Sequence, residues 1–236
     1  MSGVDWQAWH EEYDDPGSDL ARRLLVVQEQ IHQILSALPP GPITVVSVCA
    51  GEGRDLLGVL RDHPRRRDVR ARLVELDNRI AAAARDTATR LGLTGVEVIV
   101  GDAALTEHYD GMVPADLVLM CGVFGNITDE DIARTIDYAR QLCRRDGLLV
   151  WTRHRNPPDL VPQICQWLAQ VGFEQQWLSE PGVGYGVGVH RYRSEPRPLA
   201  RGERMFTFIG RDVLAAERAP RGLEEVTAHE QTADGG

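Results

Sequence analysis

The chain has 236 residues, 43% hydrophobic and 26% charged, enough to bury the core of one ordinary domain or one domain with a cap. Its net charge of −9 argues against broad nonspecific binding to nucleic acid. All 26 basic residues are arginine, so neither a Walker-type phosphate loop nor a pyridoxal Schiff base, both of which need lysine, is available.

The N-terminal stretch MSGVDWQAWHEEYDDP is acidic and lacks the basic start and apolar run of a signal peptide. No segment approaches the ~18 apolar residues of a membrane span. A cytoplasmic address and no membrane partner are therefore expected. Ser18 or Asp19 caps a predicted helix whose apolar positions Leu20, Leu24, Val27, Ile31, Ile34, Leu35 and Leu38 recur at helical spacing, and Pro39-Pro40-Gly41-Pro42 ends it. ITVVSV reads as a strand, RDLLGVLRD as a helix and VRARLVEL as a strand. NRIAAAARDTATRLG is a helix closed by Gly92, and VEVIV is a short strand. ADLVLMC is a strand, DEDIARTIDYARQLC a helix capped near Thr128 or Asp129, GLLVWT a strand and PDLVPQICQWLAQVG a helix. Apolar strands alternating with helices predict a doubly wound, mostly parallel α/β sheet. FEQQWLSE, GYGVGVHRYR and ERMFTFIG then read as three strands without intervening helices, so antiparallel additions are expected. The organisation expected is a helical lid over residues 1–40, a sheet domain over 41–210 and a partly disordered polar tail over 211–236.

Cys49, Cys121, Cys143 and Cys165 are far apart with no CxxC or CxH spacing, so neither a metal site nor a disulfide framework is expected. The informative stretch is SVCAGEGRD, Ser47 to Asp55, where the chain leaves the first strand through two near-adjacent glycines and re-enters a helix. Gly51 and Gly53 let a ligand approach bare main chain, and the helix beginning near Arg54 offers free N–H groups. A tight turn with no ligand reads equally well from this stretch alone. LVELD ends the next strand with Asp77, which can accept ribose hydroxyls or cap the following helix. VIVGDAA ends the third strand with Gly101-Asp102-Ala103, where an acid can take a proton from an adenine amino group or again serve as a cap. Three such signals fall in register at consecutive strand ends.

With these motifs the chain resembles the class I S-adenosylmethionine-dependent methyltransferases, from Ile43 to Thr152 in specific motifs and loosely to Arg193. VVSVCAGEGRD resembles their glycine motif, LVELD their ribose acid, GDAA their adenine-edge acid and ADLVLMCGVFGNI their fourth-strand motif. The resemblance implies a Rossmann-like, seven-stranded sheet. It also implies S-adenosylmethionine as cofactor and S-adenosylhomocysteine as product. Cys49, Ala50, Gly51 and Gly53 would face the methionine part. Asp77 with Asn78 would hold the ribose, Gly101, Asp102 and Ala103 would flank the adenine, and Cys121 and Gly122 would lie beside the sulfonium. Many members carry Asp and then Gly where Ser47 and Cys49 stand, so contact at Cys49 would be through main chain.

A nicotinamide enzyme is the nearest rival, but G-x-G-x-x-G fails at Leu56, and Glu52 and Asp55 would repel a pyrophosphate. Methyl transfer needs mainly alignment, plus a base when the acceptor is protonated. His154 and Tyr13 are the catalytic candidates, with His10 and His190 behind them. Trp6, Trp9 and Phe124 with Asn126 are candidates for the acceptor wall, and Arg153 or Arg155 for an acidic substrate group. The acceptor expected is a small molecule. The arginine clusters Arg61 to Arg72 and Arg191 to Arg204 keep RNA as an alternative acceptor, and a non-catalytic adenosylmethionine-binding protein is a second alternative.

Overall fold

A computed structural model describes residue 15 and residues 17–218. Seven strands form one sheet in the order β3-β2-β1-β4-β5-β7-β6. They are β1 (Ile43–Val48), β2 (Val69–Glu75), β3 (Val96–Val100), β4 (Ala115–Met120), β5 (Cys143–His154), β6 (Phe173–Leu178) and β7 (Tyr185–Tyr192). β1 to β5 are parallel, and β7 runs antiparallel between β5 and β6.

The strands are apolar on both faces because helices cover both. α1 (Asp19–Ala37), α2 (Arg54–Leu60) and α3 (Asn78–Arg90) lie on one side, where Val27, Ile31 and Leu35 meet Leu57, Ala84, Val45, Leu73 and Val187. α4 (Asp129–Leu142) and α5 (Val161–Gln170) lie on the other, where Ile132, Ile136, Ile164 and Leu168 meet Val46, Val118, Leu149 and Trp151. α1 is thus a member of one helical layer, and its first turn reaches the carboxyl edge of the sheet. The segment holding Trp6, Trp9, His10 and Tyr13 lies outside the described residues.

The helix starts follow from local chemistry. Ser18 accepts the Ala21 N–H, Asp77 those of Arg79 and Ile80, and Thr128 that of Asp131. Gly53 precedes α2 in the left-handed region (φ +68°), and a Cβ there would stand 2.7 Å from Leu73 Cδ2. Only glycine makes that turn without displacing the core.

One expected strand is absent. ERMFTFIG forms an irregular strap over residues 199–210, with a single bridge from Arg204 to Leu105. Its main chain bonds to what lies beneath it instead of to a strand: Met205 N to Ala104 O at 2.8 Å, Thr207 N to Asp131 Oδ2 at 2.6 Å, and Ile209 N to Asn126 O at 2.9 Å. Consecutive residues Met205 and Phe206 are both buried, which the alternation of a half-buried strand would not allow. The expected tail begins as a helix, α6 (Arg211–Arg218), whose first N–H bonds to Asn126 Oδ1.

Candidate active site

The strand order reverses between β1 and β4, and in open parallel sheets that crevice takes ligands. Two cavities meet there. One, of about 60 Å³, is lined by Cys49, Ala50 and Gly51 after β1, Glu52, Arg54 and Asp55 at the start of α2, and Cys121 after β4. The other, of about 220 Å³, begins at Gly122 and is walled by Asn126, Thr152, Arg153, His154, Tyr185 and Arg211. Arg23 of α1 lines both. A larger groove of about 790 Å³ runs between α1, α2 and α3 on the outside of the helical layer.

The glycine turn is held open by strained backbone. Gly51 has φ +58° and Cys49, a non-glycine residue, has φ +53°, which costs about 1–2 kcal/mol. Burial raises the Cys49 and Cys121 thiols far above neutrality, so both stay protonated. Cys121 lines the same cavity as the carboxylate of Asp55, which is only 8% exposed. Burial lifts Asp55 to about 6, against opposing contributions from N–H and thiol donors and from Arg23.

On the neighbouring edge, the last residue of β2 is Glu75. Its two oxygens accept the N–H groups of Gly51 and Asp77, each at 2.9 Å. Asp77 is turned toward α3, with Oδ1 taking Arg79 N at 2.7 Å and Ile80 N at 3.2 Å. Between them Leu76 is 68% exposed, an unusual position for a leucine. Glu75 and Leu76 were missed by sequence reasoning. The available signal was that the apolar run stops at Glu75, which puts its side chain at the strand end, whereas Asp77 directly precedes a helical pattern. Asp102, past β3, accepts Ala104 N at 3.0 Å and pairs with Arg204 of the strap at 2.8 Å. Ala103 is buried beside it, and Gly101 lies so close to the His108 ring that a Cβ would be 2.6 Å from Nε2.

Past β4, Gly122 donates its N–H to Thr152 Oγ at 2.8 Å, and Asn126 Nδ2 donates to Gly122 O at 2.6 Å. Phe124 is fully buried against Trp151, so it belongs to the core and does not form the acceptor wall. His190 is likewise buried. Trp151 Nε1 donates to its Nδ1 at 3.2 Å, and burial lowers it to about 4. It therefore stays neutral and apart from the cleft. Arg155 pairs with Asp159 at 2.8 Å and is absent from both cavity walls, whereas the neighbouring Arg153 lines the larger one. Among the described residues no cluster of His, Cys, Asp and Glu could hold a metal ion, and no helix is long and apolar enough to cross a membrane.

By sequence, no family model matches the chain and no curated protein is close enough to count as a relative. Solved structures do match. An O-methyltransferase family protein from Burkholderia thailandensis superposes with a TM-score of 0.55 at 20% identity, covering 78% of this chain and 62% of that one. The CurJ carbon methyltransferase gives 0.64 at 16% identity, covering 80% and 59%. Magnesium protoporphyrin IX methyltransferase from Synechocystis PCC 6803, solved with bound S-adenosylmethionine, gives 0.62 at 13% identity, covering 81% and 92%. The chain thus spans about three fifths of the length of the first two. Its fold is that of the class I S-adenosylmethionine-dependent methyltransferases, as strand order and likeness agree.

Proposed function

We propose that the chain is an S-adenosylmethionine-dependent methyltransferase acting on a small molecule. The observation that carries this reading is the double cavity at the β1/β4 switch point. Bare main chain, the buried carboxyl group of Asp55, and Glu52 with Arg23 and Arg54 line one half, and polar side chains line the other. The donor set suits a phosphate-free cation: Asp55, Glu75 and Asp102 surround the glycine turn, a setting that disfavours a pyrophosphate. The 60 Å³ cavity admits only the methionine end of such a cofactor, so the nucleoside would lie along the open edge. There Glu75 would take the ribose hydroxyls, Leu76 would offer an apolar face to the base, and Asp102 would meet the adenine amino group.

When bound, the cofactor supplies an activated methyl group. With it in place, the acceptor's lone pair would bond to the methyl carbon as the carbon–sulfur bond broke, its electron pair staying on sulfur. The chain's contribution is alignment: Gly122, fixed by Thr152 and Asn126, sits where the two cavities join, and His154 stands on the acceptor side to receive a proton. Small-molecule acceptors are favoured by the way the arginine clusters are used. Arg65 donates to Leu38 O and Gly41 O, Arg72 binds Glu97 and Asp110 O, and Arg193 spans Glu174 and Asp146. These groups staple the fold and are interleaved with acids, which disfavours RNA as the acceptor.

Titration calorimetry of the full chain with S-adenosylhomocysteine should show one site, and Glu75→Ala should weaken it at least about ten-fold. Absence of binding by the unsubstituted chain would overturn the reading.

A further inference from the structure

The strap over residues 199–210 meets the cleft at the carboxylate of Asp102. Around Arg204 its main chain is laced to residues 104–106, the segment that directly follows that acid. Thr106 N donates to Glu203 O at 3.0 Å, Leu105 and Arg204 form the antiparallel bridge, and Met205 N donates to Ala104 O at 2.8 Å. Thr106 Oγ adds a bond to Ala200 O at 2.6 Å. This register sets Arg204 beside Asp102, and its Nη1 stands 2.8 Å from Asp102 Oδ2. The other carboxylate oxygen, Oδ1, accepts Ala104 N at 3.0 Å. The carboxylate is thus held from both sides, by its own loop on one oxygen and by the strap on the other. Each oxygen keeps acceptor capacity for a further donor. The pair contributes little to the fold, because its side chains are 35% and 47% exposed and ion pairs so open to water are weak. What it fixes is the direction in which the carboxylate faces.

Resting on the methyltransferase reading above, in which Asp102 meets the adenine amino group, we infer that Arg204 is a positioning residue that makes the site select an amino purine. Held by Arg204, the ionised carboxylate presents acceptors and no donor to the edge of the base. An exocyclic amino group donates to it. An exocyclic oxygen in the same place sets oxygen against oxygen, and a polar site rejects such an analogue because its own groups are left unpaired. A carboxylate released from Arg204 can turn away from that oxygen at small cost, so the discrimination narrows. Arg204 acts through Asp102 and not on the reacting atoms.

Titration calorimetry of the full chain with S-adenosylhomocysteine and with S-inosylhomocysteine, its analogue with oxygen in place of the amino group, reads this directly. The unsubstituted chain should hold the adenosyl compound at least about ten-fold more tightly. Arg204→Gln should narrow that ratio about three- to five-fold, chiefly by weakening the adenosyl compound. Arg201→Gln is the control. It removes another arginine of the strap, 72% exposed and paired with Asp110 at 2.9 Å, and should leave the ratio unchanged. A strap that merely loosened would weaken both ligands alike, and an unchanged ratio in Arg204→Gln overturns the inference. Equal binding of the two ligands by the unsubstituted chain, or the same narrowing in Arg201→Gln, does so too. In each of these cases S-adenosylhomocysteine still binds and the methyltransferase reading stands. Should it not bind at all, that reading falls and takes the inference with it.

Discussion

Asp55 holds a charge at neutral pH in surroundings that oppose it. Its carboxyl group is lifted from 3.8 to about 6 by burial, so the folded state binds its proton more tightly than the unfolded chain does. The stability this contributes is complete below pH 3.8 and is lost as pH rises through about 6. Asp55→Asn should therefore stabilise the chain at pH 7.5, by up to about 3 kcal/mol, and change little at pH 4, as thermal melts at the two values would show. The same variant should bind S-adenosylhomocysteine less well, because a carboxylate kept at a cost beside the glycine turn is of use to the ammonium group of the ligand's amino-acid end. Read from sequence, Asp55 was only an acid hostile to phosphate. Cys121, more than sixty positions away, stands beside it on one cavity wall, so its burial could not be seen locally. Glu75 was passed over for a related reason: it and Asp77 are both acids near a strand end, and only the positions of Gly51 N and of the α3 N–H groups distinguish them.

Helices and their caps were legible because their signals are local. Ser18, Asp77 and Thr128 each stand where the apolar period begins, and each accepts the N–H expected of a cap. Asp77→Ala should accordingly cost about 1 kcal/mol of stability in chemical denaturation and reduce S-adenosylhomocysteine affinity less than Glu75→Ala does. The strap over residues 199–210 was illegible. Its apolar residues resemble a strand, yet its partners are Ala104, Thr106, Asn126 and Asp131, all far away in sequence. Asp131 is one of its fastenings: it is 6% exposed and accepts Thr207 N as well as pairing with Arg134. Asp131→Ala leaves that N–H without its acceptor, a loss of about 1–3 kcal/mol. Trypsin should then cut the native variant at Arg201 and Arg204 many-fold faster than the unsubstituted chain, visible on a timed gel.

For the whole molecule, the sheet class followed from alternation of elements, and the antiparallel ending followed from strands without helices between them. The order β3-β2-β1-β4-β5-β7-β6 places the reversal between β1 and β4, which is why motifs separated by about seventy residues share one cleft. The acceptor half is less legible than the cofactor half. The proposed cofactor contacts come from strand ends with recurring local motifs, whereas the cavity proposed for the acceptor is walled by single side chains on α1, β5, β7 and α6.

That assembly ties the two ends of the described chain to one small space. Arg23 enters from the first helix and Arg211 from the last, the latter held by Asn126 through the final turn of the strap. No partly made or partly unfolded chain can present this wall, so recognition is a property of the completed molecule alone. A bound ligand thereby becomes a clasp: whatever fills the cavity resists fraying of α1 and of α6, and protection of both helices should rise together with ligand concentration.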